Sequence, residues 1–357
     1  MIATLVVEDS STVRQYLCAL IEADSVLDLV GTAVDGLDAV AKVKSLRPQV
    51  VIMDIEMPNL DGIEATRRIM AENPVPIVVC SANINQNLTE KSYRAIAAGA
   101  LVVAVKPKGP GAPGAREMVD NLLRKVRLMA DVKVVRHQSL TALTKSPEVN
   151  ELPIDQDLLR SLANCPPALV AIGASTGGPP VLATILTNLK KDFPLPILVV
   201  QHIAQGFLEG MLNWLQSYSK LPLHVAEHGQ RPLPGHIYFA PDDYHLEFAS
   251  GNLLSLMSTP AEYNVKPAVA NLFHSLARTD APAAAGILLT GMGRDGAREL
   301  LAMRARGQLT IAQDAASSVI NGMPGEAARL GAVQARLNPL AIAEFLNQLP
   351  RPKYEQL

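Results

Sequence analysis

A chain of 357 residues is longer than one hydrophobic core usually organises, so two domains of ordinary size are expected. Its 32 Lys and Arg against 34 Asp and Glu give a formal charge of -2, which excludes a general electrostatic attraction to nucleic acid or anionic lipid. Cys18, Cys80 and Cys165 show neither CxxC nor Cys/His ligand spacing, so neither a disulfide framework nor a zinc site is implied, and a reducing compartment fits.

The N-terminus, MIATLVVEDSS, turns acidic at Glu8 without a basic stretch before it, and no later apolar run approaches the ~18 residues a bilayer needs. The expectation is a soluble cytoplasmic protein with no direct membrane insertion. In chain order, TLVVED (4–9), QVVIMD (49–54), PIVVCSA (76–82) and LVVAVKP (101–107) read as strands buried on both faces, with amphipathic helical patterns between them. Such βα alternation predicts an α/β domain with a parallel sheet over 1–128.

From 129 to 166 the pattern decays into polar pieces such as HQSLTALTKSPEVNELP and reads as a linker, with QDLLRSL (156–162) patterned as a short helix. Alternation resumes with ALVAIGAS (168–175), PILVVQH (196–202), GHIYFAP (235–241), LLSLM (253–257) and AGILLTG (285–291). A second doubly wound parallel sheet is therefore expected over 167–350, followed by a tail of 351–357.

In the first half, carboxylates stand at strand ends. Glu8 and Asp9 follow the first strand and Asp54 ends a later one, and in a doubly wound sheet those ends share one crevice. Acids so placed repel unless a hard cation lies among them, and carboxylate oxygens suit Mg²⁺. Asp54 can then accept a phosphoryl group, with the Ser81 hydroxyl and the Lys106 ammonium at two further strand ends to meet its oxygens. A single acid there would read as a helix cap. Five residues at four strand ends read as a site.

With Met57-Pro58, Asp61-Gly62 and Pro107 added, residues 1–128 resemble a response-regulator receiver domain. The resemblance implies a flavodoxin-like fold and phosphorylation of Asp54 by a histidine kinase. It also implies Mg²⁺ held by Glu8, Asp9, Asp54 and the backbone near Glu56, with Ser81 and Lys106 as switch residues. Val103 stands where the family usually has an aromatic, and Val102 where an acid usually precedes it. Switching through Ser81 remains available.

The second half opens with ALVAIGASTGGPP (168–180), which has no GxxxxGK[ST], no GxGxxG and no nearby lysine, so it is not a phosphate cradle. The loop leaves a strand and enters the helical pattern PVLATILTNL, so it is not a linker either. What remains is G-x-S-x-G, in which small neighbours let a sharp strand-to-helix turn expose Ser175. A serine needs a base that an acid orients. Among seven histidines only His202 ends a buried parallel-type strand, and the glycine-bracketed turn in GILLTGMGRDGARELLAM supplies Asp295, whose bland reading is a helix cap. The backbone N–H groups near Thr176 and Met292 are candidate oxyanion donors. An α/β-hydrolase runs Ser, acid, His, whereas here only Asp192, in a surface-like stretch, lies between Ser175 and His202, and no HGGG loop occurs.

The stretches IGASTGG, QHIAQGF, RPLPGHIYFAPDDYHLE, LFHSLA, GILLTGMGRDGA, AQDAASSVINGMP and EAARLGAV make residues from about 168 to 350 resemble the catalytic domain of the chemotaxis protein-glutamate methylesterases. The order receiver, linker, esterase is also that family's. The resemblance implies a Rossmann-like sheet, a Ser175, His202, Asp295 triad and no cofactor in this half. It implies hydrolysis of glutamyl methyl esters, and deamidation of glutamines, on the cytoplasmic helices of methyl-accepting chemoreceptors, under restraint by the unphosphorylated receiver. NVKPAVANLF (264–273) stands where the family usually shows an Arg-Pro-Ser-Val-Asp type of segment, and Gly325 where arginine is common. Two rival readings remain: an effector half that binds a partner without catalysis, and a DNA-binding regulator, which the lack of a basic helix-turn-helix pattern opposes.

Overall fold

The computed structural model describes residues 1–81, 86–132, 134, 162, 166–260, 265–278 and 280–350. The chain divides into two units, Met1–Val149 and Asn150–Leu357. Most of the expected linker, including nearly all of QDLLRSL, and the tail 351–357 lie outside the described residues.

In the first unit the elements alternate as β1 (Ile2–Val7), α1 (Ser11–Glu22), β2 (Leu27–Ala33), α2 (Gly36–Leu46), β3 (Val50–Asp54), α3 (Gly62–Glu72), β4 (Ile77–Ser81), α4 (Gln86–Ala97), β5 (Val102–Val105) and α5 (Ala115–Ala130). The sheet order is β2-β1-β3-β4-β5, every pairing parallel. β3 and β4 are buried at every position, as two-sided coverage by helices requires. β2 carries no continuous apolar run because it is the sheet edge, with most of its residues partly exposed. The order reverses between β1 and β3, so a crevice opens at their carboxyl ends. Asp35 and Asp61 cap α2 and α3 by accepting the N–H groups of Asp38 and Glu64, each at 2.8 Å. A side chain at Gly62 would collide with the Asp54 carbonyl, so glycine lets α3 start against the end of β3.

The second unit runs β6 (Leu169–Ala174), α6 (Gly178–Asn188), β7 (Ile197–Gln201), α7 (Leu208–Gln216), β8 (Leu223–Val225), β9 (Ile237–Phe239), β10 (His245–Ala249), β11 (Leu253–Met257), α8 (Val269–Leu276), β12 (Ala284–Leu288), α9 (Ala297–Ala305), β13 (Leu309–Gln313), α10 (Met323–Arg329), β14 (Ala335–Leu337) and α11 (Pro339–Leu346). Seven strands form one parallel sheet in the order β14-β13-β12-β6-β7-β9-β8. LLSLM does not join it: as β11 it pairs antiparallel with β10 in a separate hairpin. Only Leu254 of its five residues is fully buried, so its apolar run is not covered on both faces.

Between the sheet and α8, α9 and the hairpin lies one core containing Leu198, Phe248, Leu272, Phe273, Leu288, Leu300 and Met303. Each such side chain contributes ~1.5–3 kcal/mol by leaving water. The sheet's order turns at β6, whose neighbours are β7 on one side and β12 on the other. Three strand ends meet there, and residues 175, 202 and 291–295 follow them. Two doubly wound parallel α/β sheets are thus present.

Candidate active site

Ser175 is the first residue after β6, and the chain turns there at once into α6. Gly177 makes that turn at φ 79°, a left-handed conformation that L side chains rarely adopt, and Pro179 and Pro180 stand in the first helical turn, where a missing N–H costs nothing. The Ser175 N–H donates to Thr290 O at 3.0 Å, and the Ser175 carbonyl accepts Gly178 N–H at 2.8 Å. Both backbone groups of the serine are therefore fixed.

His202 follows β7. The register pairs Ala174 with Gln201, so Ser175 and His202 stand one step beyond it on adjacent strands, and the His202 N–H donates to Ala174 O at 2.9 Å. No hydrogen bond joins the Ser175 hydroxyl to the imidazole. His202 Nε2 instead lies 2.7 Å from Asp295 Oδ2. The same oxygen accepts the Val269 N–H at 2.7 Å, and Oδ1 accepts the Ala270 N–H at 2.9 Å. Asp295 thus does not cap α9, the helix that follows it. It sits, 3% exposed, on the first N–H groups of α8, where the helix dipole favours a negative charge. Buried His245 fixes the start of α8 in turn: its Nδ1 accepts the Ala268 N–H at 3.1 Å and its Nε2 lies 3.1 Å from Pro260 O.

The turn after β12 closes the crevice. Gly291 packs on Ser175: a Cβ there would lie 2.6 Å from the serine Cβ. Thr290 Oγ1 donates to Thr176 O at 3.0 Å and accepts the Ile320 N–H at 2.9 Å. Among the described residues neither the Thr176 nor the Met292 N–H has an acceptor, and Met292 is 40% exposed. Two side chains that sequence reading passed over reinforce these turns. Gln201 Nε2 reaches the carbonyls of Ser175 and His202, and Gln313, ending β13, accepts the Thr290 N–H at 2.8 Å and donates to Ser317 O at 2.9 Å. Their only signal in the sequence is a glutamine closing a buried strand.

In the other unit, ligand atoms of Glu8, Asp9 and Asp54 lie within 4.8 Å of one another. Lys106 Nζ stands 2.7 Å from Glu8 Oε2 and 2.8 Å from Asp54 Oδ2. Burial raises the pKa of both the Glu8 and Asp54 carboxyls. For Lys106 burial acts downwards, but its bonds and charge pairing with Asp54 and Glu8 outweigh it and hold the ammonium above its usual pKa. Ser81, 2% exposed, ends the adjoining strand, its carbonyl accepting the Lys106 N–H at 2.8 Å. Glu56 does not join the cluster through its side chain, which pairs with Lys91 at 2.6 Å.

A family model described as CheB methylesterase matches residues 170–346, and one described as response regulator receiver domain matches residues 4–111. Protein-glutamate methylesterase/protein-glutamine glutaminase 4 of Geobacter metallireducens is 46% identical over 356 residues, which cover 99% of this chain and 100% of its own length. The chain belongs to the CheB methylesterase family.

The Nitrosospira multiformis protein-glutamate methylesterase/protein-glutamine glutaminase is 42% identical over 349 residues, 98% of this chain and 97% of that protein. The crystal structure of the Thermotoga maritima CheB methylesterase catalytic domain is 35% identical, with a TM-score of 0.49, and covers 51% of this chain and 98% of that one. Along the chain, the receiver match precedes the methylesterase match. Of the NVKPAVANLF segment, residues 265–268 lead into α8 and 269–273 begin it, and the Val269 and Ala270 backbone N–H groups hold Asp295. The side chains of Val269, Leu272 and Phe273 are buried in the core instead.

Proposed function

We propose that this protein is a phosphorylation-controlled protein-glutamate methylesterase that uses Ser175, His202 and Asp295. The observation that carries the reading is the bond of 2.7 Å between His202 Nε2 and Asp295 Oδ2, one register step from Ser175. With Nε2 turned to the acid, Nδ1 is the nitrogen left to take the serine proton. Ser175 Oγ attacks the ester carbonyl as His202 accepts its proton, and the N–H groups of Thr176 and Met292 receive the oxyanion. His202 returns the proton to the methoxide, methanol leaves, and water clears the acyl enzyme by the same route. Glutamine side chains would follow this course with ammonia leaving. The substrate class is the glutamyl methyl ester on cytoplasmic helices of methyl-accepting chemoreceptors, and the site in the cytoplasm. Among the described residues no helix is long and apolar enough to cross a membrane.

Residues 1–128 act as the receiver, 129–166 as linker and 167–350 as the catalytic domain. A histidine kinase phosphorylates Asp54. Glu8, Asp9 and Asp54 fit a hard divalent cation, because three carboxylates converge there, and Mg²⁺ would be held by them and by the backbone near Glu56. When bound, the cation neutralises charge on the incoming phosphoryl group. Lys106 supplies a second positive charge at Asp54, and the switch then runs through Ser81 and Lys106. Phosphorylation shifts the population of a restrained esterase towards its active form.

The deciding experiment is methanol release from membranes bearing methylated chemoreceptors, with and without a small phosphodonor. Turnover should vanish in Ser175→Ala, persist at its basal level in Asp54→Ala, and rise with phosphodonor only where Asp54 is present. Turnover that survives Ser175→Ala would overturn the reading.

A further inference from the structure

Gln201 interrupts the apolar β7 at its last position, and its side chain is turned inwards, leaving the residue 4% exposed. Its Nε2 lies 2.9 Å from Ser175 O and 2.8 Å from His202 O. One nitrogen with two protons thus holds the carbonyls of the residues assigned above as nucleophile and base, on neighbouring strands. The Ser175 carbonyl already accepts the Gly178 N–H at 2.8 Å, so two donors converge on it. They fix the plane of the Ser175–Thr176 peptide. At the other end of that peptide is the Thr176 N–H, which finds no acceptor among the described residues. Donation to a peptide carbonyl polarises the unit and makes its N–H a stronger donor.

The opposite end of the same side chain shows what sets its orientation. Gln201 Oε1 is buried without a partner among the described residues, and a Cβ at position 178 would collide with it. Turning the amide over would set its oxygen against two carbonyl oxygens. The orientation is therefore dictated by the two carbonyls, and the absence of a side chain at Gly178 makes room for it.

We propose that Gln201 is a positioning residue of the esterase: it aims and polarises the Thr176 N–H towards the developing oxyanion and ties the His202 backbone to that of Ser175. The proposal rests on the hydrolase reading above. It goes beyond it in making transition-state stabilisation depend on a side chain that never touches substrate.

The test uses the full chain, a peptide carrying a glutamyl methyl ester, and a small boronic acid as probe of the tetrahedral state. Gln201→Met keeps the volume and removes both donors. It should lower kcat about 10–100-fold with KM within about twofold, and weaken the boronate by the same factor as kcat/KM. The number of serines labelled to completion by a fluorophosphonate should not change, whereas a structural role alone would reduce that number and leave the rate per site intact. Should Gln201→Met fail to fold, Gly178→Ala presses most closely on the amide without removing it, and less closely on the Ala174 Cβ at 2.9 Å. It should slow the enzyme in the native background and add less in Gln201→Ala, where the amide is gone and only the Ala174 contact is left.

Unchanged kcat in folded Gln201→Met, a loss confined to KM, or an equal effect of Gly178→Ala in both backgrounds would overturn the proposal alone. Native protein without ester turnover, or turnover that survives Ser175→Ala, would remove the hydrolase reading and this proposal with it.

Discussion

Asp295 and His202 share a bond of 2.7 Å, and the carboxylate that makes it is held from behind by the N–H groups of Val269 and Ala270. The acid is preorganised by a helix it does not belong to. Asp295→Asn would present an amide to the imidazole and lose one of the backbone bonds. An expected kcat loss of roughly 10³–10⁴ with little change in KM follows from the wrong imidazole tautomer. Steady-state hydrolysis of a glutamyl methyl ester peptide checks it, and a loss under tenfold would contradict the role given to Asp295.

A Cβ at Gly291 would collide with the nucleophile's own Cβ and with the Met323 sulfur. Gly291→Ala is therefore overpacked from two sides. A destabilisation of about 1–3 kcal/mol is expected, with a fall in esterase rate beyond what loss of folded protein explains. Urea unfolding and active-site titration on the same samples separate the two effects.

Lys125, on α5, reaches the Val103 carbonyl at 2.8 Å, and burial pushes its pKa down to about 8 from 10.5. Below pH 8 both folded and unfolded chains carry the proton, so the whole cost of burying the charge is present at neutral pH. As pH rises from 8 to 10.5 the folded state sheds its proton first and the cost disappears. Lys125→Met should stabilise the receiver at pH 7 by about 1–2 kcal/mol once the lost bond to Val103 is set against the gain. Urea unfolding of the full chain at pH 7 and pH 10 checks both sign and trend: an advantage that grows with pH would refute it.

His224, on the edge strand β8, and His236, just before β9, have ring nitrogens 2.8 Å apart and rings stacked at 5.0 Å. Burial first, then the neighbouring His236, lowers the pKa of His224 from 6.5. The unfolded chain therefore binds this proton more readily. Its contribution to stability is complete above pH 6.5 and is lost as pH falls through the lower folded value. In His224→Gln the decline of Tm as pH falls below 6.5 should be shallower than in the native chain; an equal slope would assign the acid sensitivity elsewhere.

β3, β4, β6, β7 and β12 announced themselves because strands covered on both faces need unbroken apolar runs. β13 is as deeply buried but did not, since Thr310 and Gln313 interrupt it. Their polar groups are satisfied by Gln334, Thr290 and Ser317, partners that only folding supplies. The same blindness hid Gln201.

By itself the sequence determined that two βα-alternating halves exist, and that Ser175, His202, Asp295 and the acidic set around Asp54 stand at strand ends. The cause is local: burial period and small-residue turns are written into consecutive residues. Only the tertiary structure decided that Asp295 rests on α8 rather than capping α9, that the His202 nitrogen facing it is Nε2, and that two glutamines hold the catalytic turns. Those contacts join residues tens of positions apart through backbone groups and buried amides. No pattern along the chain encodes such geometry, because every residue carries the same backbone donor and acceptor.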